Sequence, residues 1–477
     1  MSDSTAAHVD LTSIVKAYDV RGVVGEQWDE RVARALGAGF ADVLIATASE
    51  SATGGPDAPI TLLTAHDMRE SGPGLAHAFA DGARTRGADV IDIGLASTDL
   101  LYYAAGSLDM AGAMFTASHN PARYNGIKMC RAGAVPLGTD TGLTVVRDHA
   151  QAYLDADDVP QTERRGSSTQ RNLLTGYAEF LRGLVDLRSI RPLRVVVDAG
   201  NGMAGYTVPA VLGDAALPAL PIEVVPLYFE LDGNFPNHEA NPLEPSNLVD
   251  LQKAVVREGA DIGLAFDGDA DRCFFIGPDG QPVSPSAVTG LVAVRELAKS
   301  PGATIIHNLI TSRAVPEIVR EHGGHPVRTR VGHSYIKAQM AATNAVFGGE
   351  HSAHYYFRDF WFADTGMLAA MHVLAALGEQ PGSLTELAAP YERYRSSGEI
   401  NSTVSDAPAR VEAVRAAFAD RTTAVDHLDG LTIDLANGAW FNVRTSNTEP
   451  LLRLNVEAPD TTILAAVRDE ALAIIRG

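Results

Sequence analysis

Apolar positions in this chain fall in short runs that alternate with longer amphipathic, alanine-rich stretches. The runs Ile60–Leu63, Val90–Ile93, Val195–Val197, Ile222–Val225, Ile262–Phe266 and Ile305–Ile306 predict strands. The stretches Arg31–Leu44, Gly74–Arg84, Tyr177–Leu184, Leu248–Arg257 and Thr365–Ala376 predict helices. That alternation predicts α/β layering, with helices packed on sheet faces. Polar or Gly/Pro-containing breaks near Asp157–Thr169, Pro278–Pro285 and Glu392–Glu399 divide the chain into four parts. The expected domains are residues 1–160, 161–279, 280–393 and 394–477, the last a smaller unit.

Bulk composition narrows the function more than the fold. A chain of 477 residues has room for three to four domains of roughly 100–200 residues. The formal charge of −21 argues against nucleic acid and anionic membrane surfaces, which need basic footprints. It leaves room for an anionic small substrate, because a local cluster of Arg and Lys can reverse the field in a cleft. Cys130 and Cys273 make no CxxC and no disulfide framework. With a polar start lacking an apolar leader pattern and no long apolar run, the expected location is cytoplasmic.

Two strings carry chemistry. In TASHNP, Thr116–Pro121, an apolar strand over Ala111–Ala117 delivers Ser118 to a turn marked by Asn120-Pro121. A serine at a strand end faces the crevice where α/β proteins bind ligands. No Ser/His/Asp spacing favours a hydrolase, and His119 reads as an ordinary turn histidine. In DGDADR, Asp267, Asp269 and Asp271 crowd a tight loop between the strands Ile262–Phe266 and Cys273–Ile276. Three such carboxylates repel one another unless a cation compensates, and an all-oxygen set favours Mg²⁺. Arg272 and Pro278 stand where an EF-hand needs Gly and Glu, and Asp271 does not fit the acid-x-acid pattern of haloacid-dehalogenase phosphatases.

Two further strings are weaker alone. GGEHSAHYYF, Gly348–Phe357, places Glu350 and Ser352 to bond neighbouring sugar hydroxyls and His354 to move a proton. RTSNTEPLLRLNVEA, Arg444–Ala458, offers Arg444, Thr445, Ser446, Asn447 and Thr448 to a phosphate, with Arg453 nearby. A rival class rests on GNGMAG, where Gly200, Gly202 and Gly205 match GxGxxG after a strand, with Glu230 or Asp232 near the ribose-binding spacing. This would make the chain an NAD-dependent oxidoreductase. A tight strand-to-helix turn explains the same glycines.

The four strings, in this order, resemble the α-D-phosphohexomutase family. So do KAYDVRG at Lys16–Gly22, HDMRESGP at His66–Pro73, NGIK at Asn125–Lys128, NHEANPLEP at Asn237–Pro245 and RVGHSYIK at Arg330–Lys337. The resemblance covers about residues 16 to 458. It implies four domains around a central cleft: three related mixed-sheet α/β domains and a smaller, mobile C-terminal α+β domain. It implies that Ser118 carries phosphate, that Asp267, Asp269 and Asp271 bind Mg²⁺ with that phosphate, and that Lys128, Arg272 and His354 are the acid/base candidates. Tyr18, Arg21, His119, Arg330, His333, Lys337, Glu350, Ser352, Arg444, Ser446, Asn447, Thr448 and Arg453 become substrate-binding residues. The basic members of this set are expected to make the cleft locally positive.

The implied reaction moves phosphate reversibly between the 6- and 1-positions of a hexose through a hexose 1,6-bisphosphate, which is also the activator. Ser352–Phe360 looks most like the bacterial mannose-phosphate branch, with glucose phosphates as further substrates. Glucose- or glucosamine-phosphate mutases of the same family are the alternatives. Ile310-Thr311-Ser312 lacks a Lys that some mannose/glucose members carry. Sugar phosphates are the expected partners of a monomer or homodimer.

Overall fold

The apolar runs become strands whose side chains are buried under helices, as Gly72–Thr85 packs on Thr61–His66 and Asp89–Leu95. This is a computed structural model that describes residues 9–50, 60–445 and 451–477. Two compact units emerge: Met1–Pro282 with Tyr356–Ser383, and Val283–Tyr355 with Leu384–Gly477.

In the first unit, a seven-stranded sheet orders Val20–Val23, Tyr124–Arg131, Ala111–Phe115, Thr61–His66, Asp89–Leu95 and Ser168–Gln170, with Val135–Pro136 beside Tyr124–Arg131. The segment from Ala111–Phe115 to Ser168–Gln170 is parallel, and the other end is antiparallel. A second sheet sets Ile262–Phe266 parallel to Leu193–Asp198, which is parallel to Ile222–Leu227. Cys273–Ile276 runs antiparallel beside Ile262–Phe266. Ala111–Phe115 and Ile262–Phe266 are buried along their whole length, as continuous apolar runs require. TASHNP and DGDADR both follow the carboxyl ends of these strands, the ends at which open α/β sheets bind ligands.

The second unit holds a parallel trio, His325–Thr329, Thr304–Asn308 and Phe347–Gly349. Its C-terminal sheet is antiparallel throughout, ordered Arg395–Thr403, Leu451–Ala458, Trp440–Thr445, Leu431–Leu435 and Thr422–Asp426. Thr461–Arg476 and Ala407–Ala417 pack on it over a core that includes Phe418, Phe441, Leu454 and Val467. The three mixed or parallel α/β sheets and the smaller α+β unit agree with the expected fold class.

Three local expectations shift. The break near Glu392–Glu399 is partly strand, because Arg395–Thr403 pairs with Leu451–Ala458 despite its polarity. The strand expected over Ala111–Ala117 ends at Phe115, since the backbone turns to reach a left-handed Ser118. The helix expected over Arg31–Leu44 continues to Glu50. Among the described residues, no helix is long and apolar enough to cross a membrane.

Candidate active site

Ser118 occupies a backbone conformation that a serine rarely adopts, with φ +48°. A left-handed residue other than glycine costs roughly 1–2 kcal/mol, so the surroundings must impose it. The chief constraint is Arg69, whose side chain is 1% exposed. Its Nε donates to Asp67 at 3.2 Å. One terminal nitrogen donates to the carbonyls of Pro121 and Tyr124, both at 3.0 Å. The other donates to those of Ser118 at 2.9 Å and Asn120 at 2.7 Å. All five N–H groups of one guanidinium are thus spent on the turn and its supporting carboxylate. The Ser118 N–H donates to Thr116 Oγ1 at 2.9 Å. Arg21 ties the same turn from outside, donating to Asn120 Oδ1 at 2.6 Å and to Asp19 at 2.7 Å. Tyr18 lies half-buried three residues before it.

So held, Ser118 is buried and its Oγ donates to Asp267 Oδ2 at 2.8 Å. Arg272 donates to Asp267 through its backbone N–H and its Nε, at 3.1 and 2.9 Å, and its guanidinium lies 3.4 Å from Ser118 Oγ. His119 is no ordinary turn histidine, because its Nδ1 accepts from Arg272 at 2.6 Å and lies 3.2 Å from Ser118 Oγ. Burial, then the charges of Arg272 and Arg21, hold its pKa well below the usual value, so the ring is neutral and acts as an acceptor.

The three aspartates converge. Asp267, Asp269 and Asp271 are buried, and one oxygen from each lies within 4.8 Å of the others. Lys128 Nζ bridges Asp269 Oδ2 and Asp271 Oδ2, at 2.6 Å each. Burial opposes its charge, but the two carboxylates prevail and keep it an ammonium, with a raised pKa. Burial also raises Asp269, yet Lys128 and the Thr98 hydroxyl outweigh it and hold that carboxyl ionised. Burial with the charges of Asp271 and Asp269 pushes Asp267 up, against the pull of Arg272. Among the described residues, Asp269 Oδ1 is buried without a hydrogen-bond partner. Three carboxylates set against Lys128 and Arg272 leave an excess negative charge, so a hard divalent cation fits this donor set.

The glycines of GNGMAG have a local explanation. A Cβ on Gly202 would lie 2.7 Å from the Gly268 carbonyl oxygen, and one on Gly268 would lie 2.4 Å from that of Ser118. These residues let three backbones approach so that the serine and aspartate loops touch. Glu230 and Asp232 meet the same turn through their backbones, the Glu230 carbonyl accepting from Asn201 Nδ2 and the Asp232 N–H donating to the Asn201 carbonyl.

In the second unit, Glu350, Ser352 and His354 share one tight turn, closed by Ala353 N–H to the Glu350 carbonyl at 3.1 Å and Glu350 N–H to that of His354 at 3.0 Å. Asn308 donates to Glu350 at 3.1 Å, and Ser352 Oγ lies 3.0 Å from His354 Nδ1. Lys337 is buried on the helix His333–Thr343, and Arg330 stacks over Tyr335 at 4.9 Å. The His333 side chain and Ser446, Asn447 and Thr448 lie outside the described residues.

Arg444 and Arg453 are register partners on adjacent strands, a like-charge pair. Glu399 on the next strand pairs with both, reaching Arg453 at 3.3 Å, while Arg444 also donates to Asn455 at 3.2 Å. Arg21, Lys128, Arg272, Arg444 and Arg453 each pair with a carboxylate, because partly buried cations need counter-charges. Arg69, Thr98 and Glu399 escaped the sequence reading. HDMRESGP contains Arg69, but nothing in its spacing shows contacts 49 to 55 residues away.

Comparison with known proteins covers nearly the whole chain. Phosphoglucomutase/phosphomannomutase α/β/α domains I, II and III match residues 12–153, 175–280 and 285–394, and the C-terminal domain matches 399–474. A Xanthomonas campestris protein described as phosphohexose mutases is 41% identical, covering 97% of this chain and 99% of its own. A phosphomannomutase of Salmonella typhimurium is 40% identical, covering 96% and 97%. A crystal structure of a phosphoglucomutase/phosphomannomutase family protein from Burkholderia thailandensis superposes with a TM-score of 0.85 at 33% identity, covering 98% and 97%.

Proposed function

The chain belongs to the phosphoglucomutase/phosphomannomutase family, and on that premise we propose that it interconverts mannose 6-phosphate and mannose 1-phosphate, with glucose phosphates as further substrates. The observation that carries the reading is the buried Ser118 Oγ, hydrogen-bonded to Asp267 beside Arg272. The mannose assignment is supported by relatives near 40% identity named phosphomannomutase. No similar support stands behind the oxidoreductase reading, and the GNGMAG glycines serve loop packing.

Phospho-Ser118 gives its phosphoryl group to a hydroxyl of a hexose monophosphate. The bond from phosphorus to Ser118 Oγ breaks as the bond to the sugar oxygen forms, and the hydroxyl proton passes to a base. The resulting hexose 1,6-bisphosphate turns over, and its other phosphate returns to Ser118. The same bisphosphate restores enzyme that has lost its phosphate. Arg272, aimed at Ser118 Oγ, offsets charge on the transferring group. Lys128, kept an ammonium by Asp269 and Asp271, is suited to return a proton to a sugar oxygen. His119 Nδ1 accepts from Arg272 and so orients that guanidinium. His354 is the remaining acid/base candidate. Glu350 and Ser352 read sugar hydroxyls, helped by Lys337, Arg330 and His333. Arg444 and Arg453, with Ser446, Asn447 and Thr448, hold the phosphate that is not transferring. Asp267, Asp269 and Asp271 would hold Mg²⁺, which when bound would supply electrophilic neutralisation of the phosphoryl oxygens.

The test is the initial rate on mannose 1-phosphate, glucose 1-phosphate and glucosamine 1-phosphate, with Mg²⁺ and a trace of glucose 1,6-bisphosphate. Turnover of the mannose substrate, lost in Ser118→Ala, is expected. Turnover of glucosamine 1-phosphate alone, or near-full activity of Ser118→Ala, overturns the proposal.

A further inference from the structure

The aspartate loop is held from outside as well as from within. Thr98 opens the helix Thr98–Ser107 and is fully buried. Its hydroxyl donates to Asp269 Oδ2 at 2.5 Å, and its backbone N–H donates to the Asp269 carbonyl at 3.0 Å. These contacts span 171 residues. The turn that carries Thr98 is itself anchored through its neighbour. Asp99 accepts from Ser97 Oγ, from the Tyr177 hydroxyl at 2.7 Å and from Thr365 Oγ1 at 2.7 Å. Two distant segments and the preceding Ser97 therefore fix the turn that grips Asp269.

The two oxygens of Asp269 have different surroundings. Oδ2 takes Thr98 and Lys128, whereas Oδ1 is buried without a hydrogen-bond partner among the described residues. A donor fixed on Oδ2 sets the rotation of the carboxylate and so the direction of Oδ1. Lys128 alone is a poor guide, because its stem is flexible and its ammonium follows both carboxylates it bridges. Thr98 is β-branched, buried and tied at backbone and side chain. Partners that orient metal ligands from behind typically contribute ~10–100-fold in metal affinity.

We propose that Thr98 is a positioning residue that presets Asp269 for a divalent cation, and so controls cation affinity without touching the ion. The proposal rests on the reading of Asp267, Asp269 and Asp271 as metal ligands. Mn²⁺ binding to the full dephosphorylated chain, measured by calorimetry, tests it. Thr98→Val and Thr98→Ala are expected to weaken Mn²⁺ about tenfold or more, while Thr98→Ser stays within about threefold because the hydroxyl remains. The Ser/Ala pair isolates the hydroxyl even where Thr98→Val fails to fold. Wild-type affinity in Thr98→Ala, or equal losses in Thr98→Ser and Thr98→Ala, overturns the proposal. Asp269→Asn separates the two readings: if it binds Mn²⁺ as the wild type does, the ligand assignment itself is wrong.

Discussion

Arg69→Lys should damage this protein although it exchanges one cation for another. Arg69 makes five hydrogen bonds, at 2.7 to 3.2 Å, and four of them end on the carbonyls of Ser118, Asn120, Pro121 and Tyr124. A lysine offers three N–H groups from one nitrogen and cannot span a planar fork. At least two acceptors lose their donor, and each buried, unsatisfied group costs ~1–3 kcal/mol. The expected loss is therefore about 2–6 kcal/mol, a large share of the ~5–15 kcal/mol that holds a typical domain together. The Ser118 backbone, at φ +48°, is then free to relax into the extended region, which carries Oγ away from Asp267. Urea unfolding measures the first effect, and kcat for phosphoryl transfer measures the second. A variant within about 0.5 kcal/mol of the wild type, with unchanged kcat, would refute the reasoning.

Two further outcomes follow from the same region. Burial pushes the Asp99 carboxyl up to about 6 from 3.8, against its hydrogen bonds from Ser97, Thr365 and Tyr177. A raised acid binds its proton more tightly folded than unfolded, so its contribution to stability is full below pH ~4 and lost as pH rises through ~6. The difference is on the order of 3 kcal/mol, and Asp99→Asn should flatten that part of the stability–pH curve in urea titrations at pH 4, 5, 6 and 7. An unaltered slope counts against the burial argument. Gly268→Ala puts a methyl 2.4 Å from the Ser118 carbonyl oxygen. Overpacking there should cost ~1–3 kcal/mol and lower kcat, and a crystal structure with an unmoved Ser118 would show the contact to be unimportant.

What the sequence revealed tracks how local each feature is. Ile262–Phe266 and Cys273–Ile276 were readable because both are uninterrupted apolar runs buried on every side. The three aspartates were readable because five consecutive positions contain the whole set. The helix Glu30–Glu50 was truncated in prediction, because its final Ala-Thr-Ala-Ser-Glu lacks an apolar stripe. Arg69 and Thr98 were invisible for a different reason. Their partners lie 49 to 171 residues away, and only the folded sheet ends bring them together. Glu399 sat inside what read as a linker, since a strand that is polar on both faces carries no period-two signal.

The pairing of cations with carboxylates bears on how a charged ligand arrives. A dianion approaching a chain of net charge −21 meets repulsion at long range. The guanidiniums of Arg444 and Arg453 share the one carboxylate of Glu399, so the pair keeps a single surplus positive charge, which screening confines to within about 8–10 Å. Capture then depends on exchanging one ion-pair partner for another at close quarters, not on a funnel that speeds encounter. Added salt should accordingly raise the association rate of a sugar phosphate by screening the repulsion, the reverse of what an electropositive funnel produces.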